Sequence, residues 1–139
     1  MFKKILLASD GSGHALRAAH TAVKLAGYDK GGEVTIIYAI NGSASKSDVL
    51  TEGDPHERVN RRKERLKKTE GVLQERGVQY EIRIVKGDPG PTIVQYANDH
   101  SYDVVVIGSR GLNGLQEMVL GSVSHKVAKR ANCPVMIVK

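Results

Sequence analysis

The apolar run Val104-Val-Val-Ile107 passes directly into Gly108-Ser-Arg-Gly111-Leu-Asn-Gly114, and ten residues after Gly111 the segment Gly121-Ser122-Val123-Ser124 opens a helical stretch. A strand, a glycine loop and a helix N-terminus in that order strongly constrain the surrounding fold. The glycines let backbone approach a ligand closely, and the first N–H groups of a helix have no partner within it. Together they form a site for an anion such as a phosphate. A short, unbroken apolar strand of this kind belongs in a sheet covered on both faces.

The rest of the chain repeats that unit. Ile5-Leu-Leu-Ala8 is a first short strand, ending in the turn Ser9-Asp10-Gly11-Ser12-Gly13. Ala15, Leu16, Ala18, Ala19, Ala22, Val23 and Ala26 then recur at helical spacing up to Gly27, and so many alanines predict close packing on a sheet. Val34–Ile40 is rich in β-branched residues and reads as a second strand. Asn41–Pro55 is a polar loop, longer than the usual connection. His56–Arg76 is a charged helix with a thin apolar seam at Val59, Leu66, Val72 and Leu73, and Gly77 ends it. Val78–Val85 alternates apolar and polar residues, as an edge strand with one exposed face does. Thr92–His100 is a short helix with Ile93, Val94 and Ala97 inward, Ser122–Ala131 the last helix, and Val135–Val138 a fifth strand. The order βαβαβαβαβ predicts an α/β fold over residues 1–139: a single doubly wound, Rossmann-like domain with a five-stranded parallel sheet and helices on both faces.

Composition narrows the function. The chain has no Trp and one Phe, so its core must be aliphatic. No apolar run approaches the roughly 20 residues of a membrane span. The N-terminal apolar run is broken by Asp10, too short for a signal peptide. The single Cys133 cannot form an internal disulfide, which with no export signal predicts a reducing cytoplasm. The net charge of +6 is carried by residues 58–68, where seven basic residues meet one acid. That run reads as the solvated face of a helix; with no aromatic residue interleaved, it does not match a single-strand nucleic-acid surface. The five histidines show no metal-ligand spacing, and no Ser-His-Asp or paired-carboxylate arrangement is legible.

In an open doubly wound sheet, ligands bind beyond the carboxyl ends of the strands where the strand order reverses. The order 3-2-1-4-5 would make the first and fourth strands neighbours, bringing the Ser9-Asp10-Gly11-Ser12 turn opposite Gly108-Ser109-Arg110-Gly111. The glycine pattern is neither Walker A nor the dinucleotide G-x-G-x-x-G. It is Gly108-x2-Gly111-x9-Gly121-Ser122, which matches G-x2-G-x9-G-[S/T], the nucleotide-binding signature of universal stress proteins. Ile5–Ser12, Gly87-Asp-Pro89, Asp103–Gly111, Gly121–Ala128 and Ala131–Val138 also resemble that family, so the likeness runs over nearly the whole chain.

The resemblance implies an ATP site. Backbone amides around Gly111, Gly121, Ser122 and Val123 would hold phosphates, helped by the hydroxyls of Ser122 and Ser124. Asp10, in the turn with Ser9 and Gly11, would lie near the nucleoside or a phosphate-bound Mg or Mn ion; a helix cap is the alternative role for Asp10. Ala39 would offer backbone groups to adenine, Ile107 would line the pocket, and Arg110 would add charge, although the family varies at that position. The resemblance further implies a homodimer through Val135–Val138. Three functions follow as expectations: a nucleotide-dependent sensor or adaptor whose ligand orders the 41–55 loop; a slow ATPase or phosphotransferase, for which Asp10 is the sole evident candidate; and a dimeric interaction module independent of nucleotide.

Overall fold

The computed structural model describes residues 2–9, 13–28, 30–40, 55–109 and 121–139; for 55–62 only the backbone is described. The elements run β1 (Lys4–Ala8), α1 (Gly13–Ala26), β2 (Glu33–Ile40), α2 (Pro55–Glu75), β3 (Gln79–Lys86), α3 (Pro89–Asp99), β4 (Val104–Gly108), α4 (Ser122–Arg130) and β5 (Val135–Val138). All five strands form one parallel sheet in the order β3-β2-β1-β4-β5. The chain therefore winds outward from β1 in one direction and then, from β4, in the other. Residues 41–54, most of the long loop expected after β2, lie outside the described residues, as does the Asp10-Gly11-Ser12 turn.

Strand alternation sends successive side chains to opposite faces, and each face has its own core. On one, Ile5, Leu7, Val34, Ile36, Tyr38, Val104 and Val106 pack beneath α1 and α2. The alanine stripe of α1 makes this possible: Ala18, Ala19 and Ala22 are fully buried, so helix backbone comes close to the sheet. Leu25 joins that buried set, whereas Leu16 is half-buried. On the other face, Leu6, Ala8, Ile37, Val105 and Ile107 pack with Ile93 and Ala97 of α3, Val127 of α4, and Tyr102.

The α2 seam holds at Leu66 and Leu73, both buried, with Val72 half-buried beside them. Thr69 shares that seam and is fully buried despite its hydroxyl, which meets Ser9 Oγ at 3.4 Å. Helix α3 begins at Pro89, three residues before the sequence-based boundary. Asp88 is still extended (φ −66°, ψ 129°), and a proline at the first helical position gives up only an N–H that has no helical partner. β3 is an edge strand, as its alternation predicts, and β5 is the opposite edge. Asp103 fastens the start of the sheet: its Oδ2 accepts the backbone N–H groups of Lys3 and Lys4 at 3.0 and 2.9 Å.

Candidate functional site

β1 and β4 are hydrogen-bonded neighbours in register Ile5↔Val104, Leu6↔Val105, Leu7↔Val106. Their carboxyl ends, Ser9 and Gly108, therefore emerge side by side at the point where the strand order reverses. Ser9 is buried and its N–H donates to the Ile37 carbonyl at 3.1 Å, so the end of β1 is still tied to β2. Ala39, half-buried, lies near the end of β2 on the face shared with Ile37 and Ile107. Of the residues expected at a nucleotide, Ser9, Ala39, Ile107, Gly108 and Gly121–Ser124 are described; Asp10, Gly11, Arg110 and Gly111 lie outside the described residues.

Gly108 is where β4 passes closest to α1. A Cβ there would lie 2.7 Å from His14 Cβ and 2.9 Å from the His14 carbonyl carbon, so the N-terminal turn of α1 presses directly on the strand end. The next residue, Ser109, is a junction. Its N–H donates to the Val138 carbonyl at 2.7 Å, extending the pairing with β5. Its carbonyl accepts the Gly121 N–H at 2.8 Å and the Ser124 hydroxyl at 2.9 Å. Its own hydroxyl lies 3.3 Å from His14 Nδ1. The N-terminus of α4 is thereby held against the end of β4.

Gly121 is the N-cap of α4, with φ −64° and ψ 157°, and among the described residues no side chain caps the helix. The amides of the first turn, Ser122, Val123 and Ser124, fall among those that an α-helix leaves without internal partners. Nine residues make α4 long enough for the partial positive charge of a helix N-terminus to be felt there. Ser122 is exposed and Val123 half-buried. Ser124 is 2% exposed, and its hydroxyl is engaged inward, with the Ser109 carbonyl and, at 3.0 Å, the Gly121 carbonyl. Its side chain thus sets the geometry of the helix start, while its amide belongs to the open first turn.

Two residues were missed by sequence reasoning. His14, one of five histidines without metal-ligand spacing, sits against Ser109; its only sequence signal is its place just after the first glycine turn. Thr69 was hidden in a charged helix, four residues before the expected Leu73. Cys133 is half-buried, and burial pushes its thiol up from the ordinary value, which disfavours the reactive thiolate. Among the described residues no cluster of His, Cys, Asp and Glu could hold a metal ion, and no helix is long and apolar enough to cross a membrane. A shallow hollow of about 310 Å³, lined by Glu33, Val34, Thr35, Gln79, Tyr80 and Glu81, lies at the opposite, amino end of β2 and β3.

The arrangement sets an open helix start beside a sheet crevice, and known proteins share the chain's sequence pattern and fold. The chain is 38% identical over 149 residues to universal stress protein YxiE of Bacillus subtilis, with both chains covered in full. Its fold superposes with a TM-score of 0.84 on the solved structure of MJ0577, a protein of Methanocaldococcus jannaschii, at 29% identity and covering 100% of this chain and 96% of that one. A universal stress protein solved in complex with cAMP is similar at a TM-score of 0.72 and 26% identity, over 99% and 97% of the two chains. The model of the universal stress protein family matches residues 1–139 from end to end. With the glycine spacing, the parallel order and full-length relatives in agreement, this chain belongs to the universal stress protein family.

Proposed function

We propose that residues 1–139 act as one universal stress protein domain that binds an adenine nucleotide, ATP foremost, and serves as a nucleotide-dependent sensor or adaptor in the cytoplasm. The observation that carries this reading is the uncapped N-terminus of α4, held by Ser109 at the carboxyl end of β4. Amide donors there suit a polyphosphate, and the phosphates would meet the N–H groups of Gly121, Ser122, Val123 and Ser124. Gly108, Gly111 and Arg110 would complete the loop side, and Ser9, Asp10 and Gly11 would lie across the crevice, with Asp10 near a phosphate-bound Mg or Mn ion. Ala39 leaves room for a ring and offers backbone groups to adenine, with Ile107 beneath. A chain with so few aromatic residues holds the base by aliphatic contact and backbone hydrogen bonds. The cAMP-bound relative supports an adenine nucleotide as the ligand class.

The protein acts as a homodimer paired through Val135–Val138, an edge strand whose Met136 is 37% exposed.

Nucleotide released from freshly purified protein, followed by calorimetry with ATP and Mg²⁺, tests the reading. Protein that carries no nucleotide and shows no heat of ATP binding removes it. Gly121→Val tests the placement. The Gly121 backbone angles are open to any residue, so the fold should persist. The added side chain stands where the phosphates approach, so binding should be lost; unchanged affinity would move the phosphates elsewhere.

A further inference from the structure

The sequence of the β3 edge is symmetric in character about one residue: Tyr80-Glu81-Ile82-Arg83-Ile84, with an acid and a base flanking Ile82 and a large apolar residue beyond each. β3 pairs with β2 on one side only and is eight residues long. Ile84 is 57% exposed, second only to Tyr28 among the described large apolar residues. Glu81 and Arg83 are half-exposed and, lying two apart on the same face, pair with each other at 3.1 Å.

The hydrogen-bonding parity of the strand decides what can add to it. The Gly87 N–H donates to the Ile40 carbonyl at 2.7 Å, at the end of the unbroken register Glu33↔Gln79 to Ile40↔Lys86. Every second residue back from Gly87 (Val85, Arg83, Glu81 and Gln79) therefore turns its backbone groups towards β2. Tyr80, Ile82, Ile84 and Lys86 turn theirs outward. An antiparallel strand added to this edge must bond to those even-numbered residues. A second β3 that does so about a two-fold axis at Ile82 brings Ile82 opposite Ile82 and Tyr80 opposite Ile84 in hydrogen-bonded pairs. Glu81 then stands opposite Arg83 in the closer, non-hydrogen-bonded positions, twice. Shifting the axis by one residue either way keeps the outward backbone groups in phase but opposes Glu81 to Glu81 or Arg83 to Arg83, so the charges select the axis at Ile82.

We propose that β3 is a docking edge for a second copy of this chain, self-complementary through reciprocal Glu81–Arg83 and Tyr80–Ile84 pairs about Ile82. The contact is isologous, as a two-fold interface requires. It is separate from the β5 edge, at the far side of the sheet. It covers the apolar side chain of Ile84 and exchanges the ion pair along each of the two strands for two pairs across them. It also covers a long open edge that would otherwise template indiscriminate pairing.

Sedimentation velocity of the full chain at low salt tests this with five samples: the native protein, Glu81→Arg, Arg83→Glu, the double exchange Glu81→Arg with Arg83→Glu, and an equimolar mixture of the two single variants. Each single reversal opposes like charges at both charged positions of the contact, so the mass of the particle should fall at least twofold relative to the native protein. The double exchange and the mixture restore opposite charges and should recover the native mass. That recovery also guards against a folding defect, since unfolded chains would not regain it. The β5 contact is common to all five samples, so a difference between them reads β3. A native particle of the same mass as both single reversals, or a mixture that does not recover, overturns the proposal.

Discussion

The Ser124 hydroxyl donates to the Ser109 carbonyl at 2.9 Å, closing a span of fifteen positions between the end of β4 and the first turn of α4. The same carbonyl accepts the Gly121 N–H at 2.8 Å, so one oxygen gathers both sides of the glycine loop. Replacing Ser124 with Ala leaves the Gly121 N–H bonded to Ser109 but removes the hydroxyl shared between the Ser109 and Gly121 carbonyls. We expect about 1 kcal/mol of lost stability in urea unfolding, with native secondary structure retained. Under the proposed function, ATP affinity falls as well, because the first-turn amides lose their fixed aim; calorimetry on the folded variant reads that separately.

Gly108 and Gly90 are both buried, yet alanine should behave differently at the two. At Gly108 the new methyl meets the Cβ and backbone of His14, which move only with helix α1. The cost should be about 1–3 kcal/mol. Trimming His14 to Ala should give no rescue, since the clashing atoms remain. At Gly90 the nearest atom is Lys126 Cδ at 2.9 Å, part of a long flexible chain that can swing aside. There the loss should stay within about 0.5 kcal/mol, as for tolerant sites generally. Paired urea titrations of the two variants measure the contrast.

Asp103 is expected to matter for the fold although it is far from the site. Its Oδ2 accepts two backbone N–H groups, from Lys3 and Lys4, and thereby pins the entry to β1 against the entry to β4. Asp103→Ala removes both acceptor contacts and should cost about 1.5–3 kcal/mol, the range for hydrogen bonds to a charged group. Hydrogen exchange should accelerate first at the amides of Lys3 and Lys4.

Alkaline pH should destabilise the protein through Tyr102. Burial, countered in part by a hydrogen bond from Thr35, pushes its hydroxyl up from 10.0 to about 12. Below pH 10 both the folded and unfolded chains keep the phenol neutral, and the contribution is complete. Between pH 10 and about 12 the unfolded chain loses the proton first, so stability falls as pH rises through that window. Tyr102→Phe removes this component. Plotted against pH, the difference in unfolding free energy between native protein and variant should be flat below 10 and slope above it.

Much of the fold was legible because its signals are local. Short β-branched runs, an alanine-rich helix and glycine punctuation state the order of elements, and that order admits few topologies once crossovers are right-handed. The candidate site was legible to the extent that it is written as spacing: Gly108, Gly111 and Gly121-Ser122 can be counted along the chain. Thr69 and His14 could not be found that way. A threonine among lysines and a histidine after a turn look like surface residues, and only the approach of α2 to Ser9 and of α1 to Gly108 gives them a place.

The sequence by itself thus determined the family, the succession of strands and helices, and which face of most elements is apolar, since periods of 2 and 3.6 residues are properties of the chain alone. Tertiary structure decided what meets what. That Leu7 of β1 stands level with Val106 of β4, that Ser109 serves as acceptor for both Gly121 and Ser124, and that β3 turns its even-numbered backbone groups outward all depend on register between distant segments. Register is set by the joint packing of both sheet faces, and no stretch of sequence carries that information alone.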